Sequence, residues 1–211
     1  IPIRGIESII TVPGMVDSWD AVIQKYGKLT LAEVLEPAIH YAENGFPYSK
    51  NQYLNTLTHR DLLKSIAETT EIFLPNGQVP VINEKFVQKK LAHSLRLIAR
   101  KGRDEFYKGE LAHHIVSSLQ NQGGLLTLKD FSSHQGDWTE PIYTTYRGYT
   151  MYQVPPNSQG FTGLMALNIL ENFDLSIIEH GSYEYYHLLV EALKLSFRDR
   201  NKELTDPTFH S

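Results

Sequence analysis

The residue types best suited to chemistry lie in the last third of the sequence. His187 and Glu191 are four apart in a stretch of helical periodicity, so both side chains project from one helix face, as metal ligands on a helix do. A structural zinc site needs four ligands, and His/Glu pairs at this spacing also serve as hydrogen-bonded surface partners. Both are therefore read as structural, and no metal is expected. His113 and His114 are adjacent, which sends their rings in different directions from a helix, so they too are read as structural or surface residues. Pro156-Asn157-Ser158-Gln159-Gly160 follows a strand pattern and precedes a helical one, the context of a G-x-S-x-G nucleophile elbow, but its first glycine is replaced by proline. That glycine carries the backbone through a strained turn, which argues against Ser158 as a nucleophile. The rival reading makes Ser158 the cap of a helix whose free N–H groups suit either packing or an anionic group. Asn157, Ser158, Gln159 and Gly160 are the candidate substrate-binding residues.

Neither G-x-x-x-x-G-K-[ST] nor G-x-G-x-x-G occurs, which removes the P-loop, kinase and Rossmann readings, and no cofactor is expected. The runs Arg103-Asp104-Glu105 and 198–203 read as solvated helix ends or surface ion pairs, each worth under ~1 kcal/mol.

The elements that position these residues follow from apolar spacing. After an extended opening over 6–12 and a Pro13-Gly14 turn, Val16, Trp19, Ile23 and Tyr26 form one helix face closed by Gly27. Thr30 and Glu33 stand in capping-box relation ahead of a helix with Leu31, Val34, Leu35, Ala38, Ile39 and Ala42 inside and Gly45 after its end. Pro37 predicts a break or kink there. Ser49 and Gln52 form a second box, opening a helix through Leu54, Leu57 and Leu62. Residues 74–78 read as a solvent-facing turn. A helix from Glu84 carries Val87, Leu91, Leu95 and Ile98 and ends at Lys101-Gly102. Another, through Leu111, Ile115 and Leu119, ends at Gly123-Gly124. Residues 138–146 then alternate, and Arg147-Gly148 separates them from Tyr149, Met151 and Gln153, which predicts a two-strand hairpin stopped by Pro155-Pro156. Two helices follow, one opening near Ser158 and one from Ser182 through Tyr186, Leu189, Leu193 and Phe197.

With 211 residues, 41% of them hydrophobic and 21% charged, the chain is of ordinary globular composition and long enough for a core. The absence of cysteine excludes disulfide scaffolds, thiol enzymes and iron-sulfur proteins. A net charge of −4 argues against nucleic acid or an anionic membrane as the main partner. The most apolar stretch, 161–170, is interrupted by Thr162 and Asn168 and falls short of the ~20 residues of a membrane span. Ile1, Pro2 and Arg4 do not open a signal peptide, and the expectation is that the sequence begins within a longer protein. No repeat and no domain-marking linker occurs, so 1–211 reads as a single-domain fragment.

A series of segments in order resembles the large subunit of the gamma-glutamyltranspeptidase family, including its cephalosporin-acylase-like members. Val12-Pro13-Gly14 is similar to the family's V-P-G turn, and Tyr26-Gly27-Lys28-Leu29, Leu35-Glu36-Pro37-Ala38-Ile39 and Ala42-Glu43-Asn44-Gly45-Phe46-Pro47 to its next three elements. Phe106-Tyr107-Lys108-Gly109 and the run 123–130, GGLLTLKD, resemble F-Y-x-G and G-G-L-L-T-x-x-D. Tyr146-Arg147-Gly148-Tyr149, the P-P-x-S/G-x-G turn at 155–160, H-x-x-x-E-A-x-K-x-x-F-x-D-R at 187–200 and Asp206-Pro207-Thr208-Phe209 complete the series.

The resemblance implies a predominantly helical α/β segment with a β-hairpin, part of the αββα sandwich of an N-terminal-nucleophile hydrolase. It implies a precursor that cuts itself before a Thr, whose new amino group is general base for its own hydroxyl in attack on a gamma-glutamyl or related amide. That Thr is expected on a partner small subunit beyond Ser211, so no catalytic residue falls on this chain. Thr144-Thr145 looks like such a start but sits inside the hairpin and is expected to stay uncut. The family's substrate-carboxylate arginine is expected upstream of Ile1, and Arg4 does not match it. The competing reading is a non-catalytic scaffold or binding module of the same fold.

Overall fold

The computed structural model describes Ser8 and residues 10–206, and the chain divides into two compact units, 1–136 and 137–211. In the first unit the order is α1 (Met15–Tyr26), α2 (Leu31–Asn44), β1 (Phe46–Pro47), α3 (Lys50–Thr58), α4 (Arg60–Lys64), α5 (Ala67–Phe73), β2 (Lys85–Phe86), α6 (Lys89–Lys101), α7 (Arg103–Tyr107), α8 (Glu110–Asn121) and α9 (Leu128–Ser133). The second unit comprises β3 (Ile142–Tyr146), β4 (Tyr149–Gln153), α10 (Phe161–Leu170) and α11 (Tyr183–Glu203).

The core of the first unit gathers one stripe from each main helix: Val16 of α1, Leu35 and Ile39 of α2, Leu95 and Ile98 of α6, Tyr107 of α7, Leu111 and Val116 of α8, and Phe131 of α9. Both capping boxes ahead of α2 and α3 form as the sequence predicts, with Thr30 and Ser49 accepting from the N–H three residues on. A third box, Thr127 with Asp130, opens α9, a helix the periodicity did not mark. Helix α2 runs unbroken through Pro37. The proline lies on the exposed side, so the Glu33 carbonyl that loses its donor faces the side water can reach. Within the expected stripes Val34, Ala38 and Tyr26 are exposed rather than inside. The helix expected from Glu84 begins only at Lys89, because Lys85–Phe86 instead pairs antiparallel with Phe46–Pro47. That pairing places the Phe86 ring 5.8, 5.2 and 6.2 Å from those of Phe46, Tyr48 and Phe73, a better burial than a further helical turn would provide. Leu74 is buried, so only 75–78 of the expected turn face solvent. The helix after Ser49 stops at Thr58, leaving Leu54, Leu57 and Leu62 exposed.

In the second unit β3 and β4 form the expected hairpin, in register from Ile142↔Gln153 to Tyr146↔Tyr149. Arg147 and Gly148 turn it with φ of 49° and 83°, the two left-handed residues of a type I′ turn. The first strand starts at Ile142 rather than Trp138, because β4 ends at Gln153, before the prolines, and the ladder begins with the Ile142↔Gln153 pair. The apolar helix α10 packs on β3 and α11, burying Leu164, Ala166 and Leu170. Helix α11 opens at Ser182, whose side chain accepts from the Tyr185 N–H. It buries Ala192 and Ser196, and the Ser196 hydroxyl donates to the Ala192 carbonyl at 2.9 Å, which satisfies it inside the contact. Among the described residues no helix is long and apolar enough to cross a membrane. Arg4, residues 6, 7 and 9 of the 6–12 opening and residues 207–209 of the closing motif lie outside the described residues.

Candidate functional site

The candidate turn joins β4 to α10. After Pro155 and Pro156 stop the strand, the Ser158 N–H donates to the Pro155 carbonyl at 3.2 Å, and the Ser158 hydroxyl accepts from the Gly160 N–H at 3.2 Å. The serine oxygen is thus spent inside the turn and does not cap the helix. Helix α10 begins at Phe161, with Gly160 at the cap position and no side-chain cap. The expected set of free first-turn donors is reduced: the Thr162 and Gly163 N–H groups donate to the Gln159 and Gly160 carbonyls at 3.0 and 3.1 Å. Asn157, Ser158 and Gln159 are exposed, and Gly160 is half-buried. A Cβ at 160 would lie 2.6 Å from Gln153 Oε1 and 3.0 Å from Gln153 Cβ, so a larger residue there would displace the exposed Gln153 side chain. On its other side the turn is held by Arg200, whose Nη1 donates to Gln159 Oε1. The turn therefore presents one hydroxyl and two carboxamides to solvent. Among the described residues Ser158 has no hydrogen bond to a histidine or carboxylate, so nothing there would take its proton.

The other candidates stay apart. His187 is exposed and stacks on Tyr183 with ring centroids 5.7 Å apart, while Glu191 accepts from Lys194 at 2.7 Å. That hydrogen bond holds the Glu191 carboxyl below the usual carboxylate range. His113 and His114 are exposed on α8. Among the described residues no three His, Asp or Glu side chains are grouped to hold a metal. Thr144 and Thr145 lie in the hairpin ladder opposite Met151 and Thr150, and the Thr144 hydroxyl is bonded to Asn168.

Sequence reasoning missed a buried ionic cluster in the first unit and misread two of its members as surface charges. Arg103 and Glu105 are largely buried. The Arg103 Nε donates to Asp17 Oδ1, and its Nη2 to the His134 carbonyl at 2.6 Å. The Gly136 N–H donates to Asp17 Oδ2 at 2.6 Å. Tyr107, fully buried, donates to the Pro13 carbonyl at 2.7 Å and accepts from the Asp17 N–H at 3.1 Å, with the guanidinium 4.5 Å over its ring. Burial pushes the Asp17 carboxyl up, but the hydrogen bonds from Arg103 and Gly136 outweigh it and leave it below its ordinary value. Glu105 accepts from the Leu111 N–H at 3.3 Å, serving the first turn of α8. The one signal available was charge embedded in an aromatic segment, Arg103 to Tyr107, which periodicity alone could not assign to the interior. These contacts build a scaffold, and beside it the His134 ring stacks on Tyr107 with centroids 5.0 Å apart, its buried Nε2 3.7 Å from Asp17 Oδ2 and without a hydrogen-bond partner among the described residues.

Folds of this kind are seen in solved N-terminal-nucleophile hydrolases. The chain superposes on a cephalosporin acylase from Bacillus halodurans with a TM-score of 0.91 at 35% identity, covering 99% of this chain and 39% of that one. With the gamma-glutamyltranspeptidase of Helicobacter pylori the TM-score is 0.89 at 32% identity, covering 94% and 58%. The fold is accordingly a mostly helical segment, with β-hairpins, of the N-terminal-nucleophile hydrolase class. Within that class the chain belongs to the gamma-glutamyltranspeptidase family, whose model matches residues 1–211. It is 61% identical over 209 residues to the glutathione hydrolase-like YwrD proenzyme of Bacillus subtilis, and 36% identical over 199 residues to the glutathione hydrolase proenzyme of Escherichia coli. It spans 40% and 34% of the lengths of these two relatives.

Proposed function

We propose that this chain is the large-subunit region of a gamma-glutamyltranspeptidase-like amidohydrolase or acyltransferase whose nucleophilic Thr belongs to a small subunit. The observation that carries the reading is the family match along the whole of 1–211, with 61% identity to a proenzyme of the family. In this reading the precursor cuts itself before the Thr. The new α-amino group takes the proton of the Thr hydroxyl, which attacks the carbonyl of a gamma-glutamyl or related acyl amide. Oxyanion-hole donors stabilise the tetrahedral intermediate, and the acyl group passes to water or to an acceptor amine. The chain's own contribution is scaffold and one wall of the pocket, formed by Asn157, Ser158, Gln159 and Gly160. A turn that exposes two carboxamides and a hydroxyl suits a polar substrate.

The test is expression of the complete precursor. It is expected to separate into two chains, the second beginning with Thr by mass spectrometry, and to release the anilide from a gamma-glutamyl anilide. A precursor that stays whole and inactive would establish the scaffold reading instead. For the wall, Asn157→Ala and Gln159→Ala in the self-cleaved protein are expected to lower kcat/KM. If both leave it unchanged and only thermal stability moves, the turn is structural.

A further inference from the structure

Arg200 is the last arginine of α11, and its guanidinium is held on three sides. Its plane lies 4.6 Å over the Phe197 ring, its Nε and Nη2 donate to Asn201 Oδ1 at 3.1 and 2.6 Å, and its Nη1 donates to Gln159 Oε1. Among the described residues no carboxylate comes within 4 Å of it, so its partners are neutral amides rather than an ion-pair acid. The neighbouring Arg198 differs: it is mostly exposed and paired with Asp199 at 2.8 Å. A fork already fixed by stacking and by Asn201 loses little further freedom when it grips Gln159. Across the turn, the side chain of Gln153 fills the space that a Cβ on Gly160 would occupy. The turn is thus tied through the Gln159 side chain to the end of α11, forty-one residues on in sequence.

We infer that Arg200 is a positioning residue, which sets the Asn157–Gly160 turn for substrate by holding Gln159. This rests on the reading of the turn as a pocket wall. Removing the clamp frees the turn without touching the reacting atoms, so the loss should appear mainly in KM, with the self-cleavage rate and thermal midpoint little changed.

The experiment uses the complete, self-cleaved protein and a gamma-glutamyl anilide. Arg200→Ala is expected to lower kcat/KM about tenfold, mostly through KM, a change of roughly 1.4 kcal/mol. Arg200→Lys, which keeps a donor and the charge, is expected to recover at least half of that loss on a logarithmic scale. The Arg200→Ala/Gln159→Ala double variant is expected to be no worse than Gln159→Ala alone, because Arg200 acts through Gln159. Arg198→Ala is expected to match wild type. Wild-type rates in Arg200→Ala, additive losses in the double variant, or a loss that follows the thermal midpoint alone would each overturn the clamp while leaving the enzyme reading intact. A wild type that self-cleaves but turns over no anilide overturns the reading of the site, and the clamp's role with it.

Discussion

Burial alone would push the Asp17 carboxyl up, yet Arg103 and the Gly136 N–H hold it below its ordinary value of 3.8. A carboxyl whose folded pKa is depressed contributes stability that is fully present above its unfolded pKa and is lost as pH falls through the folded one. Thermal midpoints of the complete protein should therefore decline from about pH 5 downward. Asp17→Asn should cost about 2 kcal/mol at pH 7, because Arg103 loses its charged partner inside the cluster and keeps the exposed Asp104 and the His134 carbonyl, and should show a shallower acid decline. Parallel acid slopes for the two proteins would remove Asp17 from the explanation. Gly45 gives a second residue-scale test. Its φ is +82°, and a Cβ would meet Lys85 Cγ at 2.6 Å, Val87 Cγ2 at 2.7 Å and the Phe86 carbonyl at 3.0 Å. Gly45→Ala should lose about 2–4 kcal/mol, read as a lower urea midpoint, since left-handed backbone and overpacking both count against it.

Among the elements, the helices with capping boxes are the ones whose starts could be read directly. Thr30 and Ser49 mark α2 and α3 because the box is a local contact, independent of what the helix packs against. Thr127 and Asp130 cap the six-residue α9 in the same way, although the sequence reading did not mark that helix, which is too short to show a period but presents Phe131, fully buried, to the core. Thr127→Ala should cost about 1 kcal/mol and speed amide exchange across 128–133, leaving α8 as protected as before. Exchange unchanged at 128–133 would mean that Phe131 alone holds the helix. The misplaced start of α6 has the opposite cause: Lys85 and Phe86 follow a helical pattern but are claimed by β1, forty residues earlier.

At the scale of the molecule, hydroxyls that donate to a carboxylate, Thr30 to Glu33, Thr127 to Asp130 and Ser176 to Asp174, do so within capping turns. Under the proposed function, the chain expressed alone is expected to release no product from gamma-glutamyl anilides or acyl amides, because the covalent path would need the Thr proposed for a small subunit. Turnover by the chain without a partner, abolished in Ser158→Ala, would place the nucleophile in the 156–160 turn after all.

The motifs from Val12 to Arg200 were enough to place the chain in its family and fold class, since each is a short run of side chains whose order survives without knowledge of contacts. The hairpin, the boxes and the glycine-ended helices were legible for the same reason: their hydrogen bonds close within a few residues. What only the tertiary structure decided involves partners far apart in sequence. Arg103 reads as a surface charge until Asp17 and His134 close around it. Gln159 reads as one exposed amide among many until Arg200 reaches it from the far end of α11. Burial and pairing of polar groups depend on chain segments meeting in space, and neither periodicity nor motif spacing carries that information.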